Sequence, residues 1–213
     1  MRNVVLAMAT TVNGRLDDPF AWFVGLSDDL YTEIDRGNST FDTVLVGRVT
    51  YEEMYEYWPG AGTEEGDSEI NRRMAKRMNS YKKYVFSRTA TAEPLAWNNS
   101  EPVTVSSDED IVEFVRSLKE QPGADIYLAG GARLAQTFVR LGLVDELRFF
   151  VHPVFSPGEP WFGMLDELRH LELVSATPFE NGAVALYYRP TDGLANDDDR
   201  SGADLWATEP ATA

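Results

Sequence analysis

The chain has 213 residues, 43% of them hydrophobic and 12% aromatic, enough apolar material for one compact domain with a sizeable core. It has no cysteine, which excludes disulfides, thiolate nucleophiles and cysteine-bound zinc. Its 19 basic and 35 acidic residues give a formal charge of −16, which argues against broad binding to nucleic acid or to an anionic membrane.

Apolar, β-branched runs alternate with stretches of helical period, the pattern of an α/β sheet. The first residues, MRNVVLAMATTVNGR, are interrupted too soon for a signal peptide, and no stretch is long enough to span a bilayer, so a soluble cytoplasmic protein is expected. Residues 3–9 read as a strand, 27–37 as a helix capped by Ser27, and 41–47 as the next strand. A helix is expected over 50–58, where Thr50 and Glu53 have capping-box spacing. In SEINRRMAKRM, Ile70, Met74 and Met78 share one helix face, and KKYVFS (82–87) is a strand. Ser107 and Asp110 form a second capping box ahead of the stripe Ile111, Phe114, Val115, Leu118. DIYLAGG leads into the helical LAQTFVRLGL, and ELRFFVHPVF (146–155) is another strand. Asn181-Gly182 then separates two extended runs, as in a β-hairpin.

Three of these strands close on groups able to hold a phosphate: Gly47-Arg48-Val49-Thr50, Ser87-Arg88-Thr89 and Gly130-Gly131. Open α/β sheets bind ligands at the carboxyl ends of their strands, where helix N-termini point outward. Each site has a plain alternative: Thr50 is also a capping residue, Arg88 a solvated turn residue, and the glycine pair a tight turn. GAGTEEG (60–66) superficially resembles a nucleotide fingerprint. Its spacing is wrong, it follows Trp58-Pro59 instead of a strand, and its glutamates would repel pyrophosphate, so it reads as an acidic surface loop.

VLVGRVTYEEMYEYW, YVFSRT and IYLAGGARLAQTFVRLGLVDELRFFVHPVF, in this order and with the terminal hairpin, resemble the dihydrofolate reductase superfamily, in particular the branch of the riboflavin-biosynthesis reductase domain. The resemblance implies a three-layer α/β/α fold over residues 1–189, with a mostly parallel central sheet and a C-terminal antiparallel hairpin. It implies NADPH bound across the sheet. Gly47, Arg48 and Thr50 would lie at its phosphates, Ser87, Arg88 and Thr89 near the adenosine 2′-phosphate, and Gly130 with Gly131 would let the pyrophosphate approach the following helix. TTVNGRLDDPFAWFVG resembles the segment lying over the nicotinamide, and a homodimer through the C-terminal strands is implied as well.

For the proton that accompanies hydride transfer, Asp29 falls near the family's acidic position, and partial burial there would raise its pKa. It is equally an ordinary helix-start acid. His152 and His170 have no partner at metal spacing, and no metal site is expected. The substrate half departs from the family. Tyr81, followed by Lys82 and Lys83, stands where folate-reducing members carry an arginine, Val151 where a threonine partners the acid, and Leu134 where an aromatic residue touches nicotinamide; FSPGEPWF (155–162) replaces a glycine-rich turn. Folate is therefore not the expected substrate. A small heterocycle or carbonyl compound is, with Trp22, Phe23, Tyr51 and Trp58 as pocket or core aromatics. The alternatives are a protein of this fold that binds NADPH without turnover, or a genuine dihydrofolate or riboflavin-pathway pyrimidine reductase. Residues 190–213, with six acids and one base, read as a disordered acidic tail.

Overall fold

The computed structural model describes residues 1–16, 19–22, 27–89, 94–158, 160–163 and 165–191. In chain order the elements are β1 (Val4–Thr11), α1 (Pro19–Trp22), α2 (Asp28–Asn38), β2 (Phe41–Gly47), α3 (Arg48–Tyr57), α4 (Glu69–Ser80) and β3 (Lys82–Ser87). There follow β4 (Ser100–Thr104), α5 (Asp108–Glu120), β5 (Asp125–Gly130), α6 (Ala132–Arg140), β6 (Glu146–His152), β7 (Leu171–Pro178) and β8 (Val184–Pro190).

The strands form one sheet in the order β4-β3-β2-β5-β1-β6-β8-β7. The first six positions pair in parallel, while β8 pairs antiparallel with both β6 and β7. This is the expected three-layer α/β/α arrangement. Central strands are apolar on both faces because helices cover both. Val4, Leu6, Leu45 and Leu128 pack with Val115 of α5 and Phe138 of α6 on one side. Val5, Val44, Val46 and Val85 pack with Tyr51 of α3 and Met78 of α4 on the other. Leu30 of α2 continues that second layer over Phe150, Ala183 and Ala185. Each such fully buried Leu, Val or Phe contributes roughly 1.5–3 kcal/mol.

Helix starts follow local chemistry in two cases and defy it in two. Ser68 accepts a hydrogen bond from Asn71 N, and Ser107 with Asp110 closes the full capping box. Ser27 is the N-cap of α2 but makes no side-chain cap, because its hydroxyl donates to Asp29 instead. The expected Thr50–Glu53 box is not formed. β2 passes directly into α3 at Gly47, so Thr50 sits inside the first turn.

The sequence reading also lacks β4. SEPVT contains Pro102 and buries Val103 alone, and it survives as an edge strand paired only to β3. At the far end the hairpin turns through Gly182 at φ +81°, and Thr191 N donates to His170 O at 3.1 Å, so the fold extends two residues past Arg189. The tail reading from residue 192 onward lies outside the described residues. Among those described, no helix is long and apolar enough to cross a membrane.

Candidate active site

The carboxyl ends of β2, β3 and β5 open into a cleft of about 580 Å³. Gly47, Arg48, Thr50, Ser87, Arg88 and Gly131, six of the residues read from the sequence, line it. Gly130 lies one residue behind the rim. Thr89 does not line the cleft; its backbone N–H donates to Ser87 Oγ at 3.2 Å, which spends that hydroxyl on the turn. The N-termini of α3, α5 and α6 all reach the cleft, carrying Arg48, Ser107-Asp108 and Ala132-Arg133. The starts of α3 and α6 have no side-chain cap, so their N–H groups make that side of the cleft electropositive before any side chain is counted, whereas the start of α5 is closed by its capping box.

Arg133, Thr137 and Arg140 also face the cleft. They lie four and three residues apart on one stripe of α6, a spacing visible in the sequence once the glycine pair is taken as the helix start. Arg140 is held by Asp108 at 2.7 Å, and Arg48 lies 4.0 Å from Glu52. Among the described residues, Arg88 and Arg133 have no carboxylate partner, which leaves two exposed guanidiniums for an anion.

The two glycines serve different needs. Gly130 has φ +93°, a region L-residues rarely enter, and an added Cβ would meet nothing within 4 Å. Gly131 has an ordinary φ of −66°, but a Cβ there would lie 2.8 Å from Thr50 Oγ1. The Gly130–Gly131 peptide is cis. One glycine is thus required by backbone conformation and the other by the close approach of α3.

A second cavity, of about 610 Å³, lies on the α2/α4 face of the sheet. Its floor is Ala7, Met8 and Ala9 of β1 with Tyr127 and Phe150, and Tyr31, Ile34, Trp58 and Met74 form its walls. Asp35, 8% exposed, binds Arg77 and lies 3.2 Å from Arg73, tying α2 to α4 across this cavity. The paired strands β1 and β5 run level through Leu6 and Leu128. Two residues further along each strand stand Met8, which lines the cavity, and Gly130, one residue behind the rim of the cleft. The floor of one recess therefore ends beside the lip of the other.

Several expected residues lie elsewhere. Asp29 lines neither recess. Its carboxylate accepts from Ser27 Oγ, from Leu30 N at 2.8 Å and from Glu180 N at 3.0 Å. The Ser27 hydroxyl chiefly, with the two N–H groups, holds its pKa below the ordinary 3.8, so the expected upward shift is overturned. Val151, paired with Val184 between β6 and β8, has no hydroxyl to offer it. Tyr81 is core, its hydroxyl donating to Asn38 O at 2.5 Å and its pKa raised by burial. Lys82 pairs with Glu101 at 2.7 Å. Lys83, 1% exposed, donates to Tyr81 O at 2.9 Å beneath the Trp97 ring, and burial lowers its pKa to about 8.

Of the aromatics, Trp58 lines the cavity, Tyr51 packs in the core against Trp97, and Trp22 meets the ring of buried His152 edge-on at 5.5 Å. Phe23 and part of the TTVNGRLDDPFAWFVG segment lie outside the described residues. His170 is exposed, and no metal-binding cluster occurs among the described residues.

The model of the RibD C-terminal domain matches residues 2–185. The YyaP protein of Bacillus subtilis (strain 168) is 33% identical over 192 residues, which cover 88% of this chain and 94% of YyaP. Among solved structures, a putative riboflavin biosynthesis protein from Shewanella sp. PV-4 superposes with a TM-score of 0.65 at 16% identity, covering 89% of this chain and 99% of that one. Dihydrofolate reductase from Enterococcus faecalis, complexed with NADP(H), superposes with a TM-score of 0.58 at 14% identity, covering 89% and 97%. The family model and the identity to YyaP, each over nearly the full length, show that the chain belongs to the RibD C-terminal domain family, and the superpositions give it the dihydrofolate reductase-like fold.

Proposed function

We propose that the protein is an NADPH-dependent reductase acting on a small, flat heterocyclic or carbonyl acceptor. The observation that carries this reading is a cleft of three helix N-termini and unpaired arginines whose lip adjoins an aromatic cavity. NADPH, when bound, supplies a hydride from its nicotinamide, and the acceptor takes up one proton. The residues present fit that cofactor. N–H groups of α3 and α6 offer directional donors to a pyrophosphate, and Gly130 leaves open space where a Cβ would stand. Arg48 and Arg88 supply permanent charge, with Ser87 and Thr89 shaping the turn that presents Arg88. In this reading the aromatic cavity excludes water from the acceptor, and Asp29, ionised and fully engaged, clips α2 to the hairpin.

A cytoplasmic site of action suits a cysteine-free, cofactor-dependent enzyme. We also propose a homodimer through β7, a fully exposed edge strand bearing Leu171, Leu173 and Val174. Dihydrofolate is a poor fit, since Tyr81 is buried and Lys82 is already paired.

The test is Arg88→Ala in cofactor titrations. Loss of a charge-assisted bond at an exposed site should weaken NADPH about tenfold while leaving NADH nearly unchanged. Equal losses for the two cofactors would remove Arg88 from the 2′-phosphate. A wild-type protein that binds NADPH yet oxidises it with no pterin, pyrimidinone, quinone or carbonyl acceptor would be a binding module.

A further inference from the structure

Among the described residues, Arg148 is the one cationic side chain that lines the aromatic cavity, and no carboxylate shares that lining. It projects from β6 beside Phe150, on the face that looks toward α2, and its side chain is only 11% exposed. Its surroundings fix it closely. Nε donates to Glu146, and the guanidinium carbon lies 5.5 Å from the Phe41 ring centroid and 5.3 Å from that of Tyr187. Gly37 makes room for it, because a Cβ at that position of α2 would come within 3.2 Å of Arg148 Nη1. Two aromatic faces, a glycine and a carboxylate thus hold the plane of the fork in one orientation.

What this arrangement does not do is satisfy the end of the fork. Neither Nη1 nor Nη2 donates to an acceptor among the described residues, although protein and not water surrounds most of the group. Glu33, which feels the charge of Arg148 without a hydrogen bond to it, is engaged by Arg36 and by the Tyr187 hydroxyl. Neither nitrogen is sealed inside the protein, so the end of the fork opens into the cavity with its N–H donors turned to whatever the cavity holds. The aromatic rings of the lining, Tyr31 and Trp58 in the walls and Tyr127 and Phe150 in the floor, suit the faces of a flat ring.

We propose that Arg148 anchors the ligand of this cavity and selects planar aromatic compounds bearing a carboxylate, gripped end-on by Nη1 and Nη2. The inference rests on the reductase reading only in naming that ligand the hydride acceptor; the binding itself is independent of turnover. It also defines a specificity residue on β6, away from the strand-end motifs that bind the cofactor.

The probes are 2-naphthoate and its neutral counterpart 2-naphthamide, titrated calorimetrically into wild type, Arg148→Gln and Arg148→Lys, with NADPH titrated into wild type in parallel. Wild type should bind the carboxylate about tenfold more tightly than the amide, the effect of one charge-assisted fork. Arg148→Gln should abolish that preference, and Arg148→Lys, which keeps the charge but not the fork, should lose most of it. Should Arg148→Gln fail to fold with Glu146 left alone, the Glu146→Gln/Arg148→Gln double variant removes that charge as well and serves in its place. A wild type that binds neither probe or shows no preference overturns the assignment, as does a preference that survives loss of Arg148. If the preference holds while wild type fails to bind NADPH, the reductase reading falls and the Arg148 anchor stands.

Discussion

The two recesses are made of different material. The cleft at the strand ends is built from backbone termini, glycines and exposed arginines, most of them within three residues of a strand's last position. The cavity on the sheet face is built from side chains that also belong to the core, drawn from β1, β2, β5, β6, α2, α3 and α4. The first is a surface laid over a finished fold, whereas the second is a space left inside it. Substitutions in the cleft should therefore change binding with little effect on stability, and substitutions in the cavity should do both.

The largest effect is expected at Phe150, 7% exposed and packed with Leu30 and Ala185. Phe150→Ala should destabilise by about 3 kcal/mol, at the low end for such truncations because the ring already borders a void. Arg88→Ala, tested beside it by urea unfolding, should stay within about 0.5 kcal/mol of wild type. Comparable losses would erase the distinction between the two recesses.

Gly131 is the place where the cleft itself behaves like core. Gly131→Ala should destabilise by about 2 kcal/mol, because its Cβ must displace the Thr50 hydroxyl. Adding Thr50→Ala should restore at least half of that loss in the same unfolding measurement. Failure of the rescue would mean that the glycine answers to something other than Thr50.

The smallest effect concerns Asp29. A folded-state pKa held below 3.8 means that its stabilisation is present above that value and is lost as pH falls through the folded pKa. Asp29→Asn should thus be less stable than wild type at pH 7, with the gap closing as the pH is lowered below about 3.8. Turnover should survive the substitution if the carboxylate is a clip. Its loss by orders of magnitude in a folded variant would make Asp29 the proton donor after all.

This division also explains what could be read from the chain alone. The cleft residues sit in short contiguous motifs, so Gly47-Arg48, Ser87-Arg88 and the glycine pair announce themselves as strand ends. Fold class was equally legible, since strands buried on both faces alternate with amphipathic helices. Arg148 was not. It occupies one position of an ordinary apolar strand, and only the sheet order, which brings β6 next to β1, turns it toward α2. β4 was hidden because an edge strand needs few apolar residues. The pKa of Asp29 runs opposite to the expectation because the side chain is not buried and the neighbouring Ser27 hydroxyl chiefly, with Glu180 N from across the fold, stabilises its charged form.

The sheet's two margins differ in a way that bears on growth. At one, β4 carries Pro102, which cannot donate to an added strand; at the other, β7 presents exposed residues on both sides of an irregularity between Leu173 and Ser175, with no proline before Pro178. Two copies joined by a two-fold axis through β7 would consume the receptive margin of each and leave a proline-bearing strand at both ends of the doubled sheet. Polymerisation by strand addition would then have nowhere to continue, so the same contact that pairs the chains would also end the series.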